Sequence, residues 1–317
     1  MPPATRSSHA SRGFLLAIIA ATGFSAKAIF VKLAYLAGPT DPVTVLTLRM
    51  LFALPVFAWV AWTSSRKADA VKLNRNEWFM VIGLGFLGYY LSSLFDFMGL
   101  QYLSAGMERL ILFLYPTLTM MMSALMLKHA ISRTHIAALA ISYSGITLAF
   151  LDQLPHHGSN LWLGAGLVFA STLTYSAYLT GASHAISRIG SQRFTALSML
   201  SATCFVVLQF LLTHPVQALA QPIGVYEATL GMAAFSTIIP MFALSAAIRL
   251  IQPAKTAIIG SLGPVATIFM AWAILGETIT WGQMAGSVMV LYGVWLIGHP
   301  QSAKFFLKWQ RRPNRNT

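Results

Sequence analysis

Ten apolar runs, most of them near 20 residues, follow one another along this 317-residue chain with only short connections between them. No other feature constrains the fold as much. At 1.5 Å per residue, such a run is long enough to cross the hydrocarbon core of a bilayer as a helix. The runs fall at 14–36, 42–62, 78–101, 108–127 and 135–152, then at 161–183, 194–213, 226–248, 254–275 and 281–298. Only 9% of the residues are charged, against roughly a quarter in a soluble domain, so the chain could not cover a water-exposed surface. The expectation is an all-α membrane protein with ten transmembrane helices. Residues 1–13 are left as an N-terminal tail and 299–317 as a basic C-terminal tail. The first apolar run is too long for a typical signal peptide and lacks a clear small-residue cleavage site, so it is read as a retained helix.

The formal charge of +13 invites a nucleic-acid reading until the charges are placed. Of 21 Lys and Arg residues, 17 lie in alternate connections and tails, including Arg66, Lys67, Lys72, Arg75, Lys128, Arg133, Arg188 and Arg193. The opposite connections hold none. This asymmetry is the positive-inside pattern and predicts a multi-pass protein of the plasma (inner) membrane with both termini cytoplasmic. Anionic headgroups account for the basic surface. The expected partners are a small-molecule substrate and the lipid bilayer, with a homodimer as the candidate assembly and no nucleic acid.

The two halves repeat at an offset of 148 residues. Gly83, Pro116, Gly145 and Leu148 fall on Gly231, Pro264, Gly293 and Leu296, and Leu127 and Ile131 fall on Leu275 and Ile279. Each half, 14–152 and 161–298, holds five spans. An odd number inserts the second half upside down, so the pattern predicts two inverted five-helix repeats, a transporter architecture with its path between the halves.

Gly23 and Lys32 in the first span, Arg49 in the second, Pro116 and Pro264, ILGETIT at 274–280 and GSVMVLYGVWLIG at 286–298 together resemble the EamA-type branch of the drug/metabolite transporter superfamily. The resemblance covers roughly 14–151 and 161–298. The first half departs from it where His129 stands at the position of Glu277. The resemblance implies a ten-helix carrier for small polar metabolites, often amino acids or related compounds, and often exporting.

Charges inside the spans point to a site. With the N-terminus inside, Lys32 lies about 6 Å and Lys27 about 13 Å below the outer end of the first span, at 1.5 Å per residue. Arg49 lies roughly 10 Å and Asp96 roughly 8 Å below the outer ends of theirs. Their positions 148 residues on hold Tyr175, Thr180, Leu197 and Leu244, none charged. Helical spacing gathers Gly85, Tyr89, Ser92 and Asp96 on one face of the third span, and Ser171, Thr174, Tyr175 and Tyr178 on one face of the sixth. Intramembrane charges mark function by default. Arg49 is expected to pair with Asp96, leaving Lys27 uncompensated to hold a substrate carboxylate or a proton-coupled acid. Lys32 reads as either a snorkelling lysine or a site residue.

The expected substrate-binding set is Lys27, Asp96, Arg49, Tyr89, Ser92, Thr174, Tyr175 and Tyr178. Asp96 and Glu108 are the candidate proton carriers, and Pro116 and Pro264 the candidate hinges. Glu277 and the Thr280–Gln283 capping pattern read as structural.

Other chemistries find no support. No phosphate-binding GxxxxGK[ST] loop and no HExxH motif occurs, and Cys204 is the single cysteine. No catalytic residues, cofactor or metal are expected; Asp152, His156 and His157 in one outer loop do not make a convincing metal site. The expected function is a secondary transporter, exporting small carboxylate-bearing metabolites by alternating access. The alternatives are an uptake permease for a vitamin-like or neutral metabolite, and a lipid flippase.

Overall fold

The first apolar run does not form one helix. In the computed structural model, which describes residues 4–66, 70–126, 133–153, 160–251, 256, 259–260 and 262–298, it is split at Ala26 into α1 (Ala4–Ser25) and α2 (Lys27–Ala37). The helix α1 reaches back into residues expected to form a tail, because ATRSSHASR contains neither Pro nor Gly to stop it. α3 (Pro42–Ser65) starts where Asp41 accepts from Val43 N and Thr44 N, with Pro42 at the first position, where its missing N–H costs nothing.

The third run is α4 (Arg75–Gly85), a π-helical segment at Phe86–Leu91 and α5 (Ser92–Leu100). The fourth is split into α6 (Ala105–Leu112) and α7 (Tyr115–Met126), followed by α8 (Arg133–Gln153). The second half contains α9 (Leu161–Ile189) and α10 (Ser191–Thr213). Next come α11 (Ile223–Ala233), a π-helical segment at Ala234–Ile238, and α12 (Ile239–Ile251). The last two are α13 (Gly263–Leu275) and α14 (Trp281–Gly298). No strand occurs among the described residues.

Among the described residues, five stretches are long and apolar enough to cross a membrane: Ser11–Ala37, Pro42–Ser65, Arg75–Leu100, Ser191–Thr213 and Ile223–Ile248. Large apolar side chains such as Leu36, Trp62, Leu212 and Trp281 point outward, where only lipid would accept so much apolar surface. The chain is a multi-pass α-helical membrane protein.

Element boundaries follow the 148-residue offset. The helices α3 and α10 end at Ser65 and Thr213; α4 and α11 begin at Arg75 and Ile223; α8 and α14 begin at Arg133 and Trp281. The π segments begin at Phe86 and Ala234, and the helices carrying the two matched prolines at Tyr115 and Gly263. The packing obeys the same shift. α1 packs on α12 and α2 on α11, as α9 packs on α5, while α3 meets α10, α6 meets α13 and α8 meets α14.

Pro116 and Pro264, the candidate hinges, stand at helix starts. Each is the second residue of a new helix, α7 or α13, where the first turn lacks an intrahelical acceptor for its N–H anyway.

At the Lys/Arg-rich end, Arg188 Nε lies 2.5 Å from Glu77 Oε1, and Arg193 donates to Val71 O at 2.6 Å and Ser65 Oγ at 3.0 Å. These contacts tie the α3–α4 connection to the α9–α10 connection.

Candidate functional site

The break at Ala26 places Lys27 at the start of a helix deep in the bundle. Thr267 Oγ1 donates to Ser25 O at 3.0 Å, so α13 satisfies a carbonyl at the end of α1. Ser25 Oγ lies 2.7 Å from Ala21 O and 3.0 Å from Gly263 O, two acceptors it can serve in turn.

Lys27 Nζ lies 2.6 Å from Asp96 Oδ2 and 3.7 Å from Glu108 Oε1. Asp96 is 1% exposed, Glu108 is fully buried and the Lys27 side chain is 20% exposed. Three spans thus converge on one ammonium: the first through α2, the third through α5 and the fourth through α6.

The geometry overturns the expected Arg49–Asp96 pair and the uncompensated Lys27. Arg49 instead donates through Nε to Thr237 Oγ1 at 3.2 Å and through Nη1 to Ser93 Oγ at 3.4 Å, with its Cζ 5.6 Å from the Phe97 ring centroid. Lys27 opens α2 after the turn at Ala26, and Thr237 lies in the π segment at Ala234–Ile238. Thr237 itself donates to Met232 O, five residues back, as a π turn allows.

The stripe expected on the third span is divided. Tyr89 Oη lies 2.9 Å from Tyr178 Oη, and Ser92 Oγ 3.1 Å from Ser171 Oγ, both toward α9. Asp96 faces α2 instead, and Gly85 packs on Ser198 of α10.

From Tyr178 a row of rings continues. Tyr178 and Tyr175 stack with centroids 5.7 Å apart, and Tyr175 meets Tyr115 edge-on at 5.5 Å. Tyr178 seats against Gly88, where a Cβ would overlap its ring. Thr174 stands apart from its expected neighbours in one respect: its hydroxyl donates to Ala170 O or Ser171 O of its own helix.

Arg109 reaches the Tyr115 end of this row. Its Nη2 lies 2.9 Å from where a Cβ on residue 263 would stand, so glycine there leaves room for the guanidinium. Its Nε has no hydrogen-bond partner among the described residues. Lys32 is half-buried, with Glu277 and Glu108 as the acids facing it. Glu277 caps α6: Ala105 N donates to Oε1 at 2.9 Å and Gly106 N to Oε2 at 3.5 Å, a carboxylate on a helix N-terminus. Gln283 N donates to Thr280 Oγ1 at 3.2 Å.

His129, His156, His157, Lys67, Lys128 and the C-terminal tail lie outside the described residues. Among the described residues, no group of three or more His, Cys, Asp or Glu is arranged to hold a metal ion.

Sequence reasoning missed Thr237, Ser93, Phe97 and Tyr115. One signal was available: Thr237 occupies the position 148 residues after Tyr89, and Gly263 the position 148 after Tyr115.

Buried charges and a row of tyrosines inside a bundle of apolar helices define a membrane protein with a polar interior. The model of the EamA-like transporter family matches this chain twice, at residues 11–151 and 162–298. The chain belongs to that family. It is 27% identical over 282 residues to the uncharacterized transporter YcbK of Bacillus subtilis (strain 168), covering 88% of this chain and 90% of that one. It is also 22% identical over 273 residues to the uncharacterized transporter sll1319 of Synechocystis sp., covering 83% and 82%. A solved crystal structure 16% identical to it superposes with a TM-score of 0.61 over 90% of this chain and 97% of that one. At that identity the likeness concerns the fold alone.

Proposed function

We propose that this protein is a secondary transporter of the plasma (inner) membrane that moves small carboxylate-bearing metabolites, in the export direction, by alternating access. Its ten spans form two inverted five-helix halves, and both termini lie in the cytoplasm. The shared 148-residue offset in sequence, helix boundaries and packing supports the repeat. The one-sided Lys/Arg connections support the orientation.

One observation carries the substrate class. Arg49 and Arg109 have no carboxylate within 4.0 Å among the described residues, while the Lys27 charge is already met by Asp96 and Glu108. Arg49 stands near Tyr89 and Arg109 near Tyr115 and Tyr175, so the tyrosine row runs between two guanidiniums that no carboxylate pairs within 4.0 Å among the described residues. A guanidinium presents a planar fork that matches a carboxylate. The substrate anion is therefore assigned to the arginines, and its apolar part to Tyr89, Tyr178 and Tyr175. The breaks before Pro116 and Pro264 are the hinges.

The test is exchange in proteoliposomes over a panel of amino acids, dicarboxylates, neutral nucleosides and lipophilic cations. A carboxylate that is exchanged by the wild type and lost in Arg49→Gln is the expected result. Exchange only of cations or neutral compounds, unchanged in Arg49→Gln, overturns the reading.

A further inference from the structure

Lys27, Asp96 and Glu108 do not balance: one ammonium faces two carboxyl groups. Asp96 holds the closer contact at 2.6 Å, and Glu108 stands back at 3.7 Å. Glu108 is fully buried, and neither of its carboxyl oxygens has a hydrogen-bond partner among the described residues. An ionised carboxylate buried without donors is one of the costliest arrangements a protein can hold.

Among the described residues, Lys27 is the one cation within 4.0 Å of Glu108. Arg109, next to Glu108 on the same helix, also faces it from farther away and lays its Nη2 against Gly263. Lys32 on α2 also faces Glu277, whose carboxylate is held by the start of α6. Asp96 is faced by Arg49 of α3, which is occupied with Thr237 and Ser93, and by Tyr35 of α2, whose hydroxyl is given to Phe97 O at 2.8 Å. Across Lys27 Nζ from Glu108 stands the Asp96 carboxyl. That group can accept an O–H from a protonated Glu108 and has nothing to give an ionised one.

We propose that Asp96 and Glu108 share one exchangeable proton beside Lys27, and that the carrier couples substrate movement to this proton. With Glu108 protonated, the group of three is neutral; with the proton gone, it carries one negative charge in the bundle interior. The backbone supplies a way to change that balance. Lys27 opens α2 directly after the break at Ala26, and Glu108 lies in α6 just before the break ahead of α7. A small rotation at either break moves the ammonium relative to the two acids, and so changes which acid holds the proton. The coupling rests on the carrier reading above; the proton site itself does not.

The test is infrared spectroscopy of the full-length protein in lipid, following the C=O stretch of neutral carboxylic acid across pH. At neutral pH the wild type is expected to show this band. It should vanish in Glu108→Gln and survive in Glu227→Gln, which changes an exposed acid. Lys27→Met should show a second such band, because Asp96 then takes up a proton of its own. If Glu108→Gln fails to fold, Glu108→Asp must keep a band at a shifted frequency. A wild type without the band at neutral pH, or a band unchanged in both Glu108→Gln and Asp96→Asn, overturns the site.

In proteoliposomes with the same compound panel, Glu108→Gln should retain exchange at equal pH and lose acceleration by a pH gradient. Full acceleration in Glu108→Gln overturns the coupling. A wild type that moves none of the panel counts against the carrier reading and leaves the infrared result standing.

Discussion

The first span breaks at Ala26 and restarts with Lys27, whereas its counterpart 148 residues on runs unbroken through Tyr175 within Leu161–Ile189. Other backbone devices are common to both halves of the sequence: a π segment at Phe86–Leu91 and at Ala234–Ile238, and a helix restart one residue before Pro116 and Pro264. The halves therefore share their joints and differ in their chemistry. The first contributes Lys27, Asp96, Glu108, Arg49 and Arg109; the second answers with Thr237, Tyr175, Tyr178 and the space at Gly263. On the proposed reading, the restarts common to both halves are the parts that move and the charges of the first half are the parts that bind.

The largest effect that can break this comparison is at the span that differs. Lys27→Met leaves two buried carboxyl groups without their cation, and removing one partner of a buried pair costs about 3 kcal/mol. The double variant Lys27→Met/Asp96→Asn should recover most of that loss. Thermal unfolding of the purified full-length protein in detergent measures both. Equal melting temperatures for wild type and Lys27→Met would make the ammonium incidental to the fold and the charge group weak.

The next test uses a pair of equivalent positions. Tyr89 and Thr237 are 148 residues apart in the two π segments, yet one hydrogen-bonds a neutral tyrosine and the other a guanidinium. Thr237→Val, which keeps the side-chain volume, should cost about 2 kcal/mol, the range for a hydrogen bond to a charged group. Tyr89→Phe should cost about 1 kcal/mol, the range for a neutral one. The reverse order in melting would show that Arg49 is not anchored through Thr237.

A third pair tests the packing. Gly88 lets Tyr178 lie against the third span, and its equivalent, Ser236, already carries a side chain there. Gly88→Ala should cost roughly 1–3 kcal/mol by overpacking. Ser236 is buried and its hydroxyl has no hydrogen-bond partner among the described residues, so Ser236→Ala should change stability by less than about 0.5 kcal/mol or raise it. Similar losses at both positions would remove the distinction.

Much of this architecture is legible before any coordinates. The apolar runs, the charges inside them and the 148-residue offset are all in the sequence, and the offset even points from Tyr89 to Thr237. The pairing of the charges is not legible. Helical-wheel reasoning assumes an unbroken 100° per residue, and the turn at Ala26 and the π segment at Phe86–Leu91 depart from that regularity in two of the spans concerned. Arg49 and Lys27 are both within reach of Asp96 by depth alone, and depth does not choose between them.

The smallest effect belongs to Thr174, which helical spacing groups with Ser171, Tyr175 and Tyr178. Ser171 spends its hydroxyl across the interface on Ser92, and Tyr178 spends its own on Tyr89. Thr174 lies 3.1 Å from Ala170 O and 2.9 Å from Ser171 O, both within its own helix. Such back-bonding satisfies the hydroxyl without tying it to another span. Thr174→Val keeps the shape and removes only that local bond, so exchange of any transported panel compound should stay within about twofold, less than 0.5 kcal/mol. A Thr174→Val loss as large as that of Tyr178→Phe would mean that this hydroxyl turns from its helix to the substrate during the cycle, and would extend the binding surface one turn along α9.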